Sequence, residues 1–420
     1  MTKEQQAQLS QQGVEALDKL LKETVENRVL PATYFGVTGP EGELYYSCAG
    51  EKVFGKPEAG QVDPETTVQL FSMTKFVTSL AALQLVEQGK IAVDDPSVIE
   101  KHLPELWAQS IITGWTDDGE PQLVPRKNPL TLRHLLTHTS GLGYAFLRPD
   151  VLERYEKKEG LKGFLEANIG VEGYVRPLLF EPGTHYAYGT GVDWAGILVM
   201  RLTGQTLDEY FHEHIFGPLG IGKEEITFLP TEQVKERLQS MAARTSATKG
   251  HIILHPGWRN VAKMTPEMIG LQSGGAGMVG TLRAYLKFLA GILKCQQPGG
   301  IISPQTFELV FSDQMPEGKQ PRKDLADFLE FMGVTDKQQT EGKVTHSLGL
   351  CYLANGSDDG PLPGSARWSG VAKTHYFVDP KAGIAAICGT NIMEEVPTQF
   401  LEVYSKFQRT VYDNLVQSKL

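Results

Sequence analysis

The stretch Leu70-Phe71-Ser72-Met73-Thr74-Lys75-Phe76-Val77-Thr78-Ser79-Leu80-Ala81-Ala82-Leu83 decides how the chain reads. Ser72 stands three residues before Lys75 at the head of an apolar run, and positions three apart share a helix face. The hydroxyl and the amine can therefore meet. A first helical turn also carries unpaired N–H groups and a partial positive charge, which favour an alkoxide there. Val77, Leu80, Ala81, Leu83 and Leu85 leave too little polar surface for a water-facing helix, so a buried one is expected. Burial disfavours the charged form of a lysine and so suits it to act as a base.

Around this stretch the chain of 420 residues is 41% hydrophobic and 21% charged, enough for a sizeable core in one large domain or two. A net charge of -10, with no basic block, argues against nucleic-acid binding. Cys48, Cys295, Cys351 and Cys388 are scattered and read as reduced core residues, with neither disulfide nor zinc spacing. Met1–Gln6 is polar and does not read as a signal peptide. No apolar run reaches the roughly 18–20 residues of a membrane span. Ser418-Lys419-Leu420 matches the tripeptide read by the peroxisomal import receptor, so a peroxisomal address in a eukaryote is expected, or a cytoplasmic one where the signal is unused.

Helical spacing of Val14, Leu17, Leu20, Leu21 and Val25 predicts a first amphipathic helix. Ala32–Thr38 and Leu44–Ala49 follow as strands joined by a turn at 39–43. Strand signals then thin out. Leu130–Leu136 and Leu207–Ile215 read as helices, and the polar stretch 116–128 as a loop. Strands return at Ser347–Leu353, Ala366–Ala372, His375–Val378 and Ile384–Thr390, and a last helix carries Phe400, Val403, Tyr404, Phe407, Val411 and Leu415. The pattern predicts an α/β (α+β) fold: an antiparallel sheet domain from residues 1–90 and 290–420, with a mainly helical domain of 91–289 inserted. The Ser72 helix would lie at their junction, a common place for a cleft.

The esterase signature Gly-x-Ser-x-Gly is absent, which disfavours an α/β-hydrolase elbow. Several other segments stand in a fixed order. They are Leu70–Lys75, Asp94-Asp95-Pro96, Leu130–Leu142, Glu181–Gly189, Gly274-Gly275-Ala276-Gly277-Met278, Trp368-Ser369-Gly370 and Phe377-Val378-Asp379-Pro380. In this order the chain resembles the serine hydrolases related to class C β-lactamases, penicillin-binding proteins and family VIII carboxylesterases, from about residue 15 to 415. Tyr188-Gly189 with Val192-Asp193-Trp194-Ala195-Gly196, and Asp379–Gly383, are similar to the fungal polyketide acyltransferases of the lovastatin-transesterase type.

The resemblance implies a β-lactamase/penicillin-binding-protein-like sheet flanked by helices, and roles for single residues. Ser72 would be the nucleophile, Lys75 its base and Tyr188 the second proton-handling group, with Tyr186 the local alternative. The backbone N–H groups of Ser72 and Val371 would form the oxyanion hole. Trp368, Ser369, Gly370, Tyr186, Tyr144 and Lys373 would meet substrate, Trp368 by lining the acyl pocket. Lys373 stands where related esterases often carry glycine; it is either exposed or meets an anionic group of a carrier or CoA. The lysine of Lys-Thr-Gly is missing, and Thr190 replaces the asparagine two residues after the tyrosine. Both departures weaken a β-lactamase or D-peptidase reading.

The implied function is an acyl-enzyme on Ser72, with transfer from an ester or thioester to water, an alcohol or an amine, in fungal secondary metabolism and with no cofactor. An inactive scaffold is the alternative of another class. His134 and His138 have the i, i+4 spacing of helical zinc sites but lack an intervening acid and a third ligand, so no metal is expected. Gly274–Gly277 reads as a tight turn near the cleft, and His212 and His214 as solvated.

Overall fold

The computed structural model describes residues 7–417 apart from 164, 165, 167, 168, 257–264 and 335–343; the tripeptide Ser418-Lys419-Leu420 lies outside the described residues. Its centre is a seven-stranded antiparallel sheet. The order is Thr345–His346, Cys351–Leu353, Ser365–Gly370, Thr374–Asp379, Ile384–Gly389, Ala32–Gly39 and Gly42–Gly50. Early and late parts of the chain meet where Cys388 stands opposite Phe35.

Successive side chains of a strand face opposite ways, and here both faces are covered. Phe35, Phe377 and Cys388 pack with Leu17 and Leu21 of the helix Gln11–Glu26 and Phe400 and Phe407 of the helix Thr398–Asp413. Tyr34, Tyr376 and Ile387 point the other way, toward Phe76, Tyr285 and Phe288. All eight residues of Ala32–Gly39 are accordingly buried. Ser10 caps the first helix by accepting from the Gly13 N–H at 3.1 Å.

The helix Thr74–Glu87 runs beneath the sheet and is buried at every position from Thr74 to Leu85. An apolar surface all round the cylinder leaves it no wet face, as its sequence demands. It packs against the helix Gly191–Thr203, which begins three residues after Tyr188. Ser72 itself sits in a one-turn 3₁₀ segment, Phe71–Met73, leading into the helix.

Two expectations change. Ser347–Leu353 is not one strand: the chain reverses within it, with Ser347 N–H bonded to the Leu350 carbonyl and Gly349 at φ 123°. A Cβ on Gly349 would stand 2.7 Å from Cβ of Ser79, so this turn is pressed onto the buried helix. The stretch 116–128 is not wholly loop, since Pro121–Val124 pairs with Ile111–Trp115 as a hairpin.

Candidate active site

Ser72 is the focus. Lys75 Nζ lies 3.1 Å and the Tyr188 hydroxyl 2.6 Å from Ser72 Oγ. The Ser-x-x-Lys spacing supplies the first contact along the helix face. The second crosses from the segment Glu181–Gly189. Phe71, just before the serine, has φ 46°, a left-handed conformation rare for an aromatic residue. Such strain costs on the order of 1–3 kcal/mol and persists only where surrounding packing enforces it.

Lys75 is 1% exposed, and its Nζ meets three acceptors: Ser72 Oγ, the Tyr144 hydroxyl at 2.9 Å and the Gly275 carbonyl at 2.8 Å. An ammonium has three donors, so each finds a partner. Its charge also lies over the Tyr188 ring, 4.8 Å from the centroid. Tyr144 is therefore placed differently from the expectation: it is buried, with its hydroxyl on the lysine rather than in a substrate pocket. Burial, then the Asp193 carboxylate, push its phenol well up.

Tyr188 is wedged among aromatic rings. His138 lies 4.9 Å away, Tyr144 and Phe328 5.2 Å, and Trp368 5.6 Å between centroids. Tyr186, the local alternative, points elsewhere. It is buried with Met315, Leu325, Leu329 and Val344, and its hydroxyl has no hydrogen-bond partner among the described residues. Residues two apart in an extended segment share a face, and both tyrosines are inward, one onto Ser72 and one into this satellite core.

The strand Ser365–Gly370 closes the other side. A Cβ on Gly370 would stand 2.6 Å from the Leu70 carbonyl oxygen and 2.4 Å from Thr374 Oγ1, so only glycine lets this strand end reach the turn before Ser72. Val371, exposed to 42%, follows at once in a three-residue connection to Thr374–Asp379. Trp368 is half-buried beside Tyr188 and stacks on His138 at 6.0 Å. Ser369 is on the opposite face: it stands across from His375, whose ring packs on Phe400 and Tyr404. The two-residue period of a strand thus takes its side chain away from Ser72.

Lys373 is not exposed. At 5% it is buried, and its φ of 66° explains a glycine preference, since a three-residue hairpin turn ends in a left-handed residue. Its N–H donates to the Gly370 carbonyl. Burial pulls its ammonium down, opposed by Glu394.

His134 and His138 serve separate ends. His134 Nδ1 lies 3.1 Å from Thr131 Oγ1, and burial lowers the ring to about 4. His138 packs against Tyr188 and is held well below the usual range by burial, then by His346 and Lys75. His212 is not solvated, because its Nε2 lies 2.9 Å from the Ile226 carbonyl. Gly274–Gly277 is a turn, as expected, and it abuts Lys75. The part played by the Gly275 carbonyl had no sequence signal beyond its glycines, and neither had the placement of Asp193 beside them.

Residues 17–406 match the sequence profile of the Beta-lactamase family. The chain belongs to that family. It is similar to the monacolin J acid methylbutanoyltransferase of Aspergillus terreus, 28% identical over 390 residues, covering 88% of this chain and 89% of that one. It is also similar to the lovastatin esterase of Penicillium rubens, 30% identical over 387 residues, covering 90% of this chain and 92% of the relative. Among solved structures it resembles a mutant of simvastatin synthase (LovD) from Aspergillus terreus. That match has a TM-score of 0.82 at 27% identity and covers 96% of this chain and 98% of the other.

Proposed function

We propose that this chain is a serine acyltransferase and esterase that carries an acyl group on Ser72 Oγ. One observation carries the reading: a lysine and a phenol converge on one serine hydroxyl at 3.1 and 2.6 Å, in a site whose lysine is otherwise buried. Relatives that are named acyltransferases and an esterase support it. An inactive scaffold would have no use for a nucleophile and two proton-handling groups held in register.

In the attacking state Lys75 is the free amine or Tyr188 the phenolate; that group takes the Ser72 proton, and Oγ adds to the carbonyl carbon of an ester or thioester. The developing oxyanion is received by the backbone N–H groups of Ser72 and Val371. The Ser72 N–H sits in the first turn, where a helix leaves donors unpaired. Tyr188 returns a proton to the leaving oxygen or sulfur as the tetrahedral adduct collapses. Water, an alcohol or an amine then reverses the path. Every step uses groups of this chain.

Trp368, Tyr188, Phe328 and Val371 give the site an apolar, uncharged wall, suited to the acyl portion of the substrate. By its likeness to relatives, transfer in fungal secondary metabolism is the biological setting we infer. The ending Ser418-Lys419-Leu420 supports peroxisomal import through its receptor, where acyl thioesters are at hand.

Intact-protein mass spectrometry after mixing with short-chain acyl esters and thioesters tests the chemistry. A mass increment that disappears in Ser72→Ala is expected, and candidate alcohols added next would discharge it. No increment with any donor, together with no p-nitrophenyl ester turnover, refutes the reading.

A further inference from the structure

Asp193 lies 1% exposed in the first turn of the helix that follows Tyr188. Its Oδ1 accepts from Ser273 Oγ at 2.6 Å and from the Gly275 N–H at 2.9 Å. The same Gly275 gives its carbonyl to Lys75 at 2.8 Å. Thr78, one helical turn beyond Lys75, donates to the neighbouring Gly274 carbonyl at 2.7 Å. The glycine turn is thus clamped between two helices, and it is cut to fit. A Cβ on Gly275 would stand 2.4 Å from Asp193 Oδ2, and one on Gly274 2.9 Å from the Thr78 methyl.

We propose that Asp193 is a positioning residue for the Ser72 reaction, holding Lys75 in place through the Gly275 peptide and balancing its charge. The proposal rests on the catalytic reading of Ser72. Two further observations support it. The Tyr144 hydroxyl, which lies 2.9 Å from Lys75 Nζ, also faces the Asp193 carboxylate, so the lysine and the carboxylate share this phenol as they share the Gly275 peptide. Burial raises the Asp193 carboxyl above its usual range, and the largest influence opposing that rise is Lys75. The groups facing this carboxylate are Lys75, Tyr144, Ser273 and the Gly275 amide, so the lysine is the cation in reach. In acylation a proton leaving Ser72 leaves positive charge at the lysine. A fixed negative charge one peptide away stabilises that state without touching substrate.

Asp193→Asn in the full chain keeps the shape and an oxygen acceptor while deleting the charge. The readouts are burst kinetics with a p-nitrophenyl ester, the pH–rate profile and thermal melting. We expect a kcat lower by about 10–100-fold, on the scale of misplaced or unbalanced catalytic groups, with KM little changed. The pH–rate profile moves to lower pH, because losing an anion favours deprotonated forms nearby. Ser273→Ala removes one donor to the carboxylate and keeps the charge; it should cost rate less and leave the profile where it is. An Asp193→Asn enzyme with unaltered kcat and profile, while Ser72→Ala is dead, overturns this proposal alone. Should Asp193→Asn fail to fold, Asp193→Ser, a smaller neutral side chain, is read in the same way, and its unaltered kcat and profile overturn the proposal. A wild type that never acylates overturns it together with the catalytic reading.

Discussion

Replacing Tyr188 by phenylalanine deletes one oxygen and leaves the ring where it is. The ring is held by His138, Tyr144, Phe328 and Trp368, none of which bonds the hydroxyl, so its position does not depend on that atom. The hydroxyl donates to Ser72 Oγ at 2.6 Å. The stability cost is that of one hydrogen bond, about 1 kcal/mol. The kinetic cost is that of a proton-transfer group, about 10²–10⁴-fold, or about 2.7–5.5 kcal/mol at 1.36 kcal/mol per decade. Tyr144→Phe is the matched control. It takes one of three acceptors from Lys75 and no contact from Ser72, so it should slow acylation by about tenfold, roughly the worth of one bond to a charged group. The assay is the burst of p-nitrophenol from a short acyl ester in a stopped-flow instrument, with melting curves alongside. A Tyr188→Phe burst within tenfold of wild type, or a Tyr144→Phe burst slower than that of Tyr188→Phe, would refute the assignment of the proton route.

Gly370→Ala forces a methyl group against the Leu70 carbonyl and Thr374 Oγ1, at 2.6 and 2.4 Å, so the strand end must withdraw from the Ser72 turn. Acylation should fall about 100-fold, the scale of a 1 Å misplacement, and stability by about 1–3 kcal/mol; an unaltered burst rate would separate Val371 from the oxyanion. Acid should destabilise the fold through its buried histidines. Burial holds His134 and His346 to about 4 when folded, while the unfolded chain takes up those protons near 6.5. Their contribution is complete above pH 6.5 and is lost as pH falls toward 4, about 3 kcal/mol each at full loss. Urea midpoints at pH 7, 5.5 and 4.5 should descend; a flat series would mean that these rings take up protons in the folded chain as readily as in the unfolded one.

The core of the site was legible because it is local or patterned. Ser72 and Lys75 are three apart on one helix, and Tyr188 falls within an ordered set of segments, so spacing and resemblance reached all three. The sheet was legible as strands near both ends of the chain, while the pairing of Ala32–Gly39 with Ile384–Gly389 came from the fold. What escaped depended on distant packing. Tyr144 was expected to meet substrate, and the fold sets its hydroxyl on Lys75. Ser369 shares a motif with Trp368 and Gly370, yet strand pleating sends it to the other face. Lys373 looked free to reach an anion; its left-handed turn position and burial are properties of the hairpin, not of its charge. Ser347–Leu353 was apolar enough for a strand, but Gly349 must lie against Ser79 and so reverses the chain.

The pairing of Ala32–Gly39 with Ile384–Gly389 also governs the order of events during synthesis. An edge of the early hairpin waits, unpaired, until the last part of the chain leaves the ribosome, and such long-range pairing is slow. The Ser72 helix emerges early, but Val371 and the strand before it emerge near the end. On the role proposed for Val371, a nascent or C-terminally truncated chain holds a serine without its second oxyanion donor. That role makes acylation a property of a chain long enough to lay Ile384–Gly389 beside Ala32–Gly39.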